Sequence, residues 1–337
     1  MGEILVRLAK KLTFAVTMVI ASFLSAKAQT KPPAFHLTAI SPRFWDLFER
    51  DAKLATVGSG FGFTEGPVWD PAGFLYVSDE ETNKIFRLYL AGGRKEELLS
   101  LGDPDGNTYD RQHHLVDCAS VLRAIIQLDE QGHYTVLVDR YQGKRFNSPN
   151  DVIIGPDGAI YFTDPTLDLP KGEKQEIPFQ GVYRLGSDGQ VELLTKELSQ
   201  PNGLAFSPDG TKFYVDDSEQ RNIRVYEFGS DHTLKNGRIF GEEPGGRADG
   251  VPDGIKVDQS GNLYVTGPGG IWVWNSAGQH LGTVNTPEQP ANLAWGDADY
   301  HSLYITATTS VYRIRTKARG FVPYLREANS VRPGASH

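Results

Sequence analysis

Apolar and polar positions alternate along most of this chain in short stretches, broken every few residues by Gly, Asp, Asn or Pro. QPNGLAFSPDGTKFYVDDS, Gln200 to Ser218, shows the unit: Leu204 and Phe206, then Phe213 and Val215, alternate as on the two strands of a hairpin. Ser207-Pro208-Asp209-Gly210 supplies the turn between them. Related hairpins begin at Gly66 (GPVWDPAGFLYVSD), Asn107 (NTYDRQHHLVDCA), Asp151 (DVIIGPDGAIYFTD), Gly254 (GIKVDQSGNLYVTG) and Asn292 (NLAWGDADYHSLYITA). With the copy at Gly203 they recur at roughly 40 to 50 residues, the length of a four-stranded propeller blade.

The segments between copies read as further strands: IFRLYL, AIIQLD, GVYRLG, NIRVYEF, GIWVWN and SVYRIR. The predicted fold is therefore all-β, a six-bladed β-propeller closed into a single domain. Two β-sandwiches would not produce one hairpin at near-constant spacing. The ring is predicted over 51–325, with 29–50 as an extension packed on its outside and 326–337 as a C-terminal tail.

In a propeller the first strand of each blade lines the central channel, so the residue just before it sits at one mouth. Aligning the copies on their turns puts Glu65, Asp105, Asn150, Asn202, Asp253 and Ala291 at that position. Asn and Asp also open strands by bonding their own backbone, which is a sufficient reason at any single site. Four sites in the local forms TEGP, SPND, QPNG and VPDG favour convergence on the axis instead. Carboxylates facing one another there would repel unless a cation sat between them. Two carboxylates and two amides, without His or Cys, suit a hard divalent cation: Ca²⁺ first, then Mg²⁺ or Mn²⁺, with Zn²⁺ less expected.

Composition narrows the partners. A formal net charge of -8, with acidic and basic residues interspersed, removes the basic field that nucleic-acid binding needs. Arg7, Lys10 and Lys11, the apolar run LTFAVTMVIASFL and then Ser25-Ala26-Lys27-Ala28 read as an export signal over 1–28, cut after Ala28. The run is shorter than the ~20 residues a spanning helix needs, so a periplasmic or secreted protein without stable membrane insertion is expected. Cys118 has no second cysteine to pair with and lies in the apolar setting HLVDCASV, as a buried strand cysteine does.

FTEGPVWDPAGFLYVSD, DRYQGKRFNSPNDV, GAIYFTDP, QPNGLAFSPDG and VPDGIKVD together resemble the senescence marker protein, gluconolactonase and luciferin-regenerating enzyme family, and its bacterial gluconolactonases most of all. The likeness runs from about Asp51 to Tyr324. It implies a six-bladed propeller with a catalytic divalent cation, often Ca²⁺, on Glu65, Asn150, Asn202 and Asp253. The chain departs from the family in the second blade. Asp105-Gly106-Asn107 stands where many relatives read NGL and use the Asn toward substrate, and Cys118-Ala119-Ser120-Val121-Leu122-Arg123-Ala124 replaces a polar run with His and consecutive Arg.

The expected activity is hydrolysis of a sugar lactone, of the D-glucono-1,5-lactone kind, to its aldonic acid. Asp253 is the first candidate for general base and Glu65 the second, with Asn150 and Asn202 as neutral ligands. Asp105, Asn107 and Arg145 are candidate substrate contacts. Asp164 and Asp217 return to the same mouth, either to orient ligand amides or to cap turns. His113 and His114 fall in a turn at the opposite face. Gly58, Gly60 and Gly62 precede no helix, and no Gly-Xaa-Ser-Xaa-Gly elbow is present, which argues against a dinucleotide site and a serine hydrolase. The competing functions are a metal-dependent phosphotriesterase and a non-catalytic binding propeller.

Overall fold

The computed structural model describes residues 34–325. The export signal read over 1–28 and the tail 326–337 lie outside the described residues. Six antiparallel sheets, each the blade of a ring, follow one another along the chain. Blade 1 comprises Thr64–Asp70, Phe74–Asp79, Lys84–Tyr89 and Arg94–Ser100. The innermost strands of blades 2 to 6 are Pro104–Tyr109, Val152–Ile154, Pro201–Phe206, Ile255–Val257 and Pro290–Gly296. Each is followed by its hairpin partner, as the repeat predicts. In blade 4, Leu204 pairs with Val215 and Phe206 with Phe213. The connecting turn closes by Gly210 N–H donating to Ser207 O at 2.8 Å, with Gly210 at φ 74, a conformation that costs a side-chain-bearing residue energy.

Ring closure is not local in sequence. The outermost strand of blade 6 is Leu54–Ser59, which pairs with Ser310–Arg315, so chain ends more than 250 residues apart complete one sheet. His36–Ala39 adds a fifth strand to the outer edge of blade 5 through His280–Asn285, and the short 3-10 helix Pro42–Asp46 that follows inserts Phe44 beneath blades 5 and 6. Six apolar clusters hold the ring, one at each blade-to-blade interface. At the closing interface Trp69 of blade 1 stacks on Tyr304 of blade 6, with centroids 5.6 Å apart and planes 7° from parallel.

The two ends of the channel differ. At one, Phe321–Tyr324 lies across a mainly apolar lining that includes Val68, Ile153, Ala205 and Ala294, with Asn107, Thr108 and Lys256 as its polar members. This segment is tied by Phe321 N–H to Val257 O at 3.0 Å and by the Tyr324 hydroxyl to Trp69 O at 3.1 Å. His113, in a turn at this end, packs on Tyr109 and Tyr324. The other end is polar, with Glu80, Glu81, Asp103 and Asp168 lining a recess there. No helix among the described residues is long and apolar enough to cross a membrane.

Candidate cation centre at the channel mouth

Inner strands of blades 1, 2, 4 and 6 carry a register shift where they enter the sheet, between Glu65 and Val68, Pro104 and Asn107, Pro201 and Leu204, and Pro290 and Asn292. A bulge re-aims the side chains beside it, and here it does so at the rim of the channel. The residues one step further in are Gly66, Gly106, Asp151, Gly203, Gly254 and Asn292. Their glycines let neighbouring strands come close: a Cβ on Gly203 would lie 1.8 Å from Asp253 O, and one on Gly66 2.1 Å from Asp105 O. Gly106 N–H donates to Asn150 O at 2.8 Å and Gly254 N–H to Ala291 O at 2.9 Å, stitching blades 2 to 3 and 5 to 6. The narrowness of the ring thus holds the polar residues of the rim together.

Glu65 is buried, and its Oε2 accepts from Gly66 N–H at 2.5 Å and from Asn292 Nδ2 at 2.8 Å. Burial, reinforced by the charge of Asp151, pushes its carboxyl up to about 7. Asp253 is pushed well above the usual carboxylate range by burial and then by Glu65 and Asp151, and no described residue donates a hydrogen bond to its carboxylate. Asn150 donates from Nδ2 to Asp105 Oδ2 at 2.6 Å, which turns its amide oxygen the other way. Asn202 is 2 % exposed, and its Oδ1 is buried without a partner. Such an orphan is costly in a folded interior and marks a position for a donor or a cation.

Two carboxylates that repel and two amides, one of them with a buried unsatisfied oxygen, fit a hard divalent cation. Among the described residues no group of three or more His, Cys, Asp and Glu side chains is arranged as a cation cage. The set on Glu65, Asn150, Asn202 and Asp253 contains only two such residues, the rest of its oxygen coming from amides. Around it stand further carboxylates. Burial and the charges of Glu65 and Asp168 raise Glu80, burial and Glu80 raise Asp105, and burial and Asp103 push Asp168 up to about 7. Phe63, Glu80, Glu81, Asp103 and Asp168 line a recess beside the mouth.

Other expected site residues are placed differently. Asp217 accepts from the N–H groups of Ser199, Gln200 and Gln220, and Asp164 Oδ2 from Asn147 N–H at 2.9 Å, so both cap the segments entering the ring, as Asp79 does in blade 1. Asn107 Nδ2 is spent between blades, on Gly66 O at 3.0 Å and Ser78 Oγ at 2.7 Å, because the bulge turns it inward. Arg145 is engaged by Glu173 Oε2 at 3.2 Å and Leu122 O at 3.1 Å. With buried Arg123, which reaches the same Glu173 oxygen at 2.6 Å, it braces the insertion of blade 3 that carries Asp168 to the mouth. Asp105 stays at the mouth through its bond to Asn150.

Sequence reasoning missed four contributors. Asp216, one residue before the expected Asp217, is fully buried with both carboxylate oxygens unpartnered, and burial followed by Asp253 raises it. Asp151 and Asn292 occupy the two places where the repeat otherwise has Gly, a signal that was readable. The positive charge of Lys256 opposes the upward shifts of Glu65, Asp151 and Asp253.

These shifts fix the sign of a pH effect. Without a cation, folded Glu65 titrates near 7 against an ordinary value of 4.5, so its contribution is full below 4.5 and is lost as pH rises through 7. Chelated protein is expected to lose thermal stability between about pH 5.5 and 8, and saturating Ca²⁺ to remove that loss. A chelated protein whose melting temperature rises across the interval would refute the assignment.

Comparison with known proteins identifies the family. Residues 63–309 match the family model described as SMP-30/Gluconolactonase/LRE-like region. A gluconolactonase of Zymomonas mobilis is 35% identical over 314 residues, covering 84% of this chain and 87% of that protein. A pentonolactonase of Haloferax volcanii is 28% identical, covering 72% and 80%. The solved gluconolactonase of Xanthomonas campestris superposes with a TM-score of 0.78 at 33% identity, over 85% of this chain and 96% of that one. The ring, the rim and the match over most of its length show that this chain belongs to the SMP-30/gluconolactonase/LRE-like family.

Proposed function

We propose that the channel mouth hydrolyses a sugar lactone of the D-glucono-1,5-lactone kind to its aldonic acid, with a divalent cation, Ca²⁺ before Mg²⁺, Mn²⁺ or Zn²⁺, on Glu65, Asn150, Asn202 and Asp253. The observation that carries the reading is the orphaned, buried Asn202 Oδ1 in a rim of carboxylates raised by burial and mutual repulsion. The similarity to a gluconolactonase and a pentonolactonase supports the substrate class. When bound, the cation supplies polarisation of the lactone carbonyl and compensation for the charge that develops on its oxygen.

The protein's own residues supply the proton transfers. Asp253, free of hydrogen bonds from described residues and part-exposed at the mouth, takes the proton of the attacking water as its oxygen bonds to the carbonyl carbon. The ring C–O bond then breaks, and Asp253 returns the proton to the departing ring oxygen. Glu65 is less suited, since its Oε2 is already held twice. Asp105, Glu80, Asp103 and Asp168 offer acceptors to the hydroxyls of a polyol substrate. The export signal expected over 1–28 would put the reaction outside the cytoplasm.

A pH-indicator assay over aldonolactones, an acyl-homoserine lactone and a phosphotriester tests this. Aldonolactones are expected to turn over with kcat of about 1–10³ s⁻¹ and the phosphotriester far more slowly. A phosphotriester preferred over every lactone would overturn the substrate class.

A further inference from the structure

Three residues inward from the rim, the repeat places Val68, Thr108, Ile153, Ala205, Lys256 and Ala294 around the channel. Five are uncharged, and the sixth is a lysine. Ile255 and Val257 on either side of it are buried in the apolar cluster between blades 4 and 5, so strand alternation turns Lys256 to the axis. Its ammonium reaches toward the rim, to Asn292 Oδ1 at 3.0 Å. That oxygen also accepts from Leu293 N–H at 2.8 Å. An ammonium only donates, so the amide oxygen of Asn292 must face Lys256 and its NH₂ must face away. The NH₂ meets Glu65 Oε2 at 2.8 Å, leaving Oε1 without a hydrogen bond from any described residue.

We propose that Lys256 is a positioning residue for the cation centre: by fixing the amide of Asn292 it pins one oxygen of Glu65 downward and presents the other to the mouth. Resting on the function proposed above, this assigns Lys256 no contact with substrate or cation. The proposal also accounts for an asparagine in the inward layer of blade 6, where four blades have glycine: it bridges a lysine below to a carboxylate above.

Two physical effects make opposite predictions for Lys256→Met. If Lys256 acted only as a nearby positive charge, removing it would relieve repulsion and tighten cation binding. If it orients Glu65 through Asn292, removing it weakens binding, by about tenfold on the scale of such outer partners. The measurement is cation affinity of purified protein, by calorimetry with Ca²⁺ and by tryptophan-sensitised Tb³⁺ luminescence, with thermal midpoints in chelator to verify folding. Lys256→Met and Asn292→Ala are each expected to weaken binding about tenfold, and the double variant to be no worse than the weaker single, as for links of one chain. Asp151, whose Oδ2 is unpartnered, loses its compensating charge in Lys256→Met. Should that variant fail to fold, Lys256→Met with Asp151→Asn removes both charges and is expected to show the same weakening. Unchanged or tighter binding in the folded variant overturns the proposal while leaving the lactonase reading intact. A wild-type protein that binds cation but hydrolyses no lactone sinks that reading and leaves the positioning chain to be judged on affinities alone.

Discussion

Asparagine in place of Asp253 is expected to lower kcat for lactone hydrolysis by about 10³-fold at saturating cation, the usual worth of a positioned general base. The substitution keeps the size and one oxygen of the side chain, so KM should move far less than kcat. It also removes a carboxylate that burial and three neighbouring acids, Glu65, Asp151 and Asp168, hold well above its ordinary range. The variant should therefore be at least as stable as the parent in chelator, and increasingly so as pH rises above the ordinary carboxylate range, since a raised carboxylate costs folding energy once ionised. Activity and stability then move in opposite directions, as is usual where a strained site serves chemistry. Steady-state kinetics beside urea titrations check both. If Asp253→Asn kept kcat and Glu65→Gln lost it, the base would be Glu65.

The second large effect is expected from a single methyl group. Gly203→Ala puts a Cβ 1.8 Å from Asp253 O and 2.8 Å from Asp216 Oδ2. The first of these is backbone and cannot rotate away, so the cost should exceed the ordinary range for overpacking and reach at least about 3 kcal/mol in a denaturant titration. The strands forced apart begin beside Asn202 and Asp253, and cation affinity should fall with stability. Gly189→Ala is the control: Gly189 has φ 78 and open space around it, so only backbone strain of about 1 kcal/mol is expected, with activity unchanged. A Gly203→Ala protein as stable as wild type would contradict the close approach of blades 4 and 5.

What the sequence reveals depends on how local the determinant is. Each hairpin is specified by alternation and by a turn such as Ser207–Gly210, all within about fifteen residues, which is why the repeat and the six-bladed ring are legible. Position in the repeat places Glu65, Asn150, Asn202 and Asp253 at one mouth, and the contrast with Ala291 shows that the hairpin folds without a polar residue there. Closure of blade 6 by Leu54–Ser59 is not legible, because LATVGS carries no mark of a partner more than 250 residues away. Nor is the exchange of Asp217 for Asp216. A bulge between Pro201 and Leu204 changes which side chain of the facing strand reaches the rim, and a single residue of shift moves a side chain to the other face. Arg145 looked available because its partner, Glu173, lies in an insertion with no repeat to place it. Lys256 was visible throughout as a charge among Val, Thr, Ile and Ala, but its meaning needed the amide above it.

A cation at the mouth is expected to be required for lactone hydrolysis. Metal-free protein, prepared with chelator and checked by elemental analysis, should be assayed on D-glucono-1,5-lactone before and after Ca²⁺ is restored. The expected result is loss of nearly all activity, returned by a single equivalent of Ca²⁺ in wild type but not in Asn202→Leu. Hydrolysis at the full rate by verified metal-free protein would contradict it.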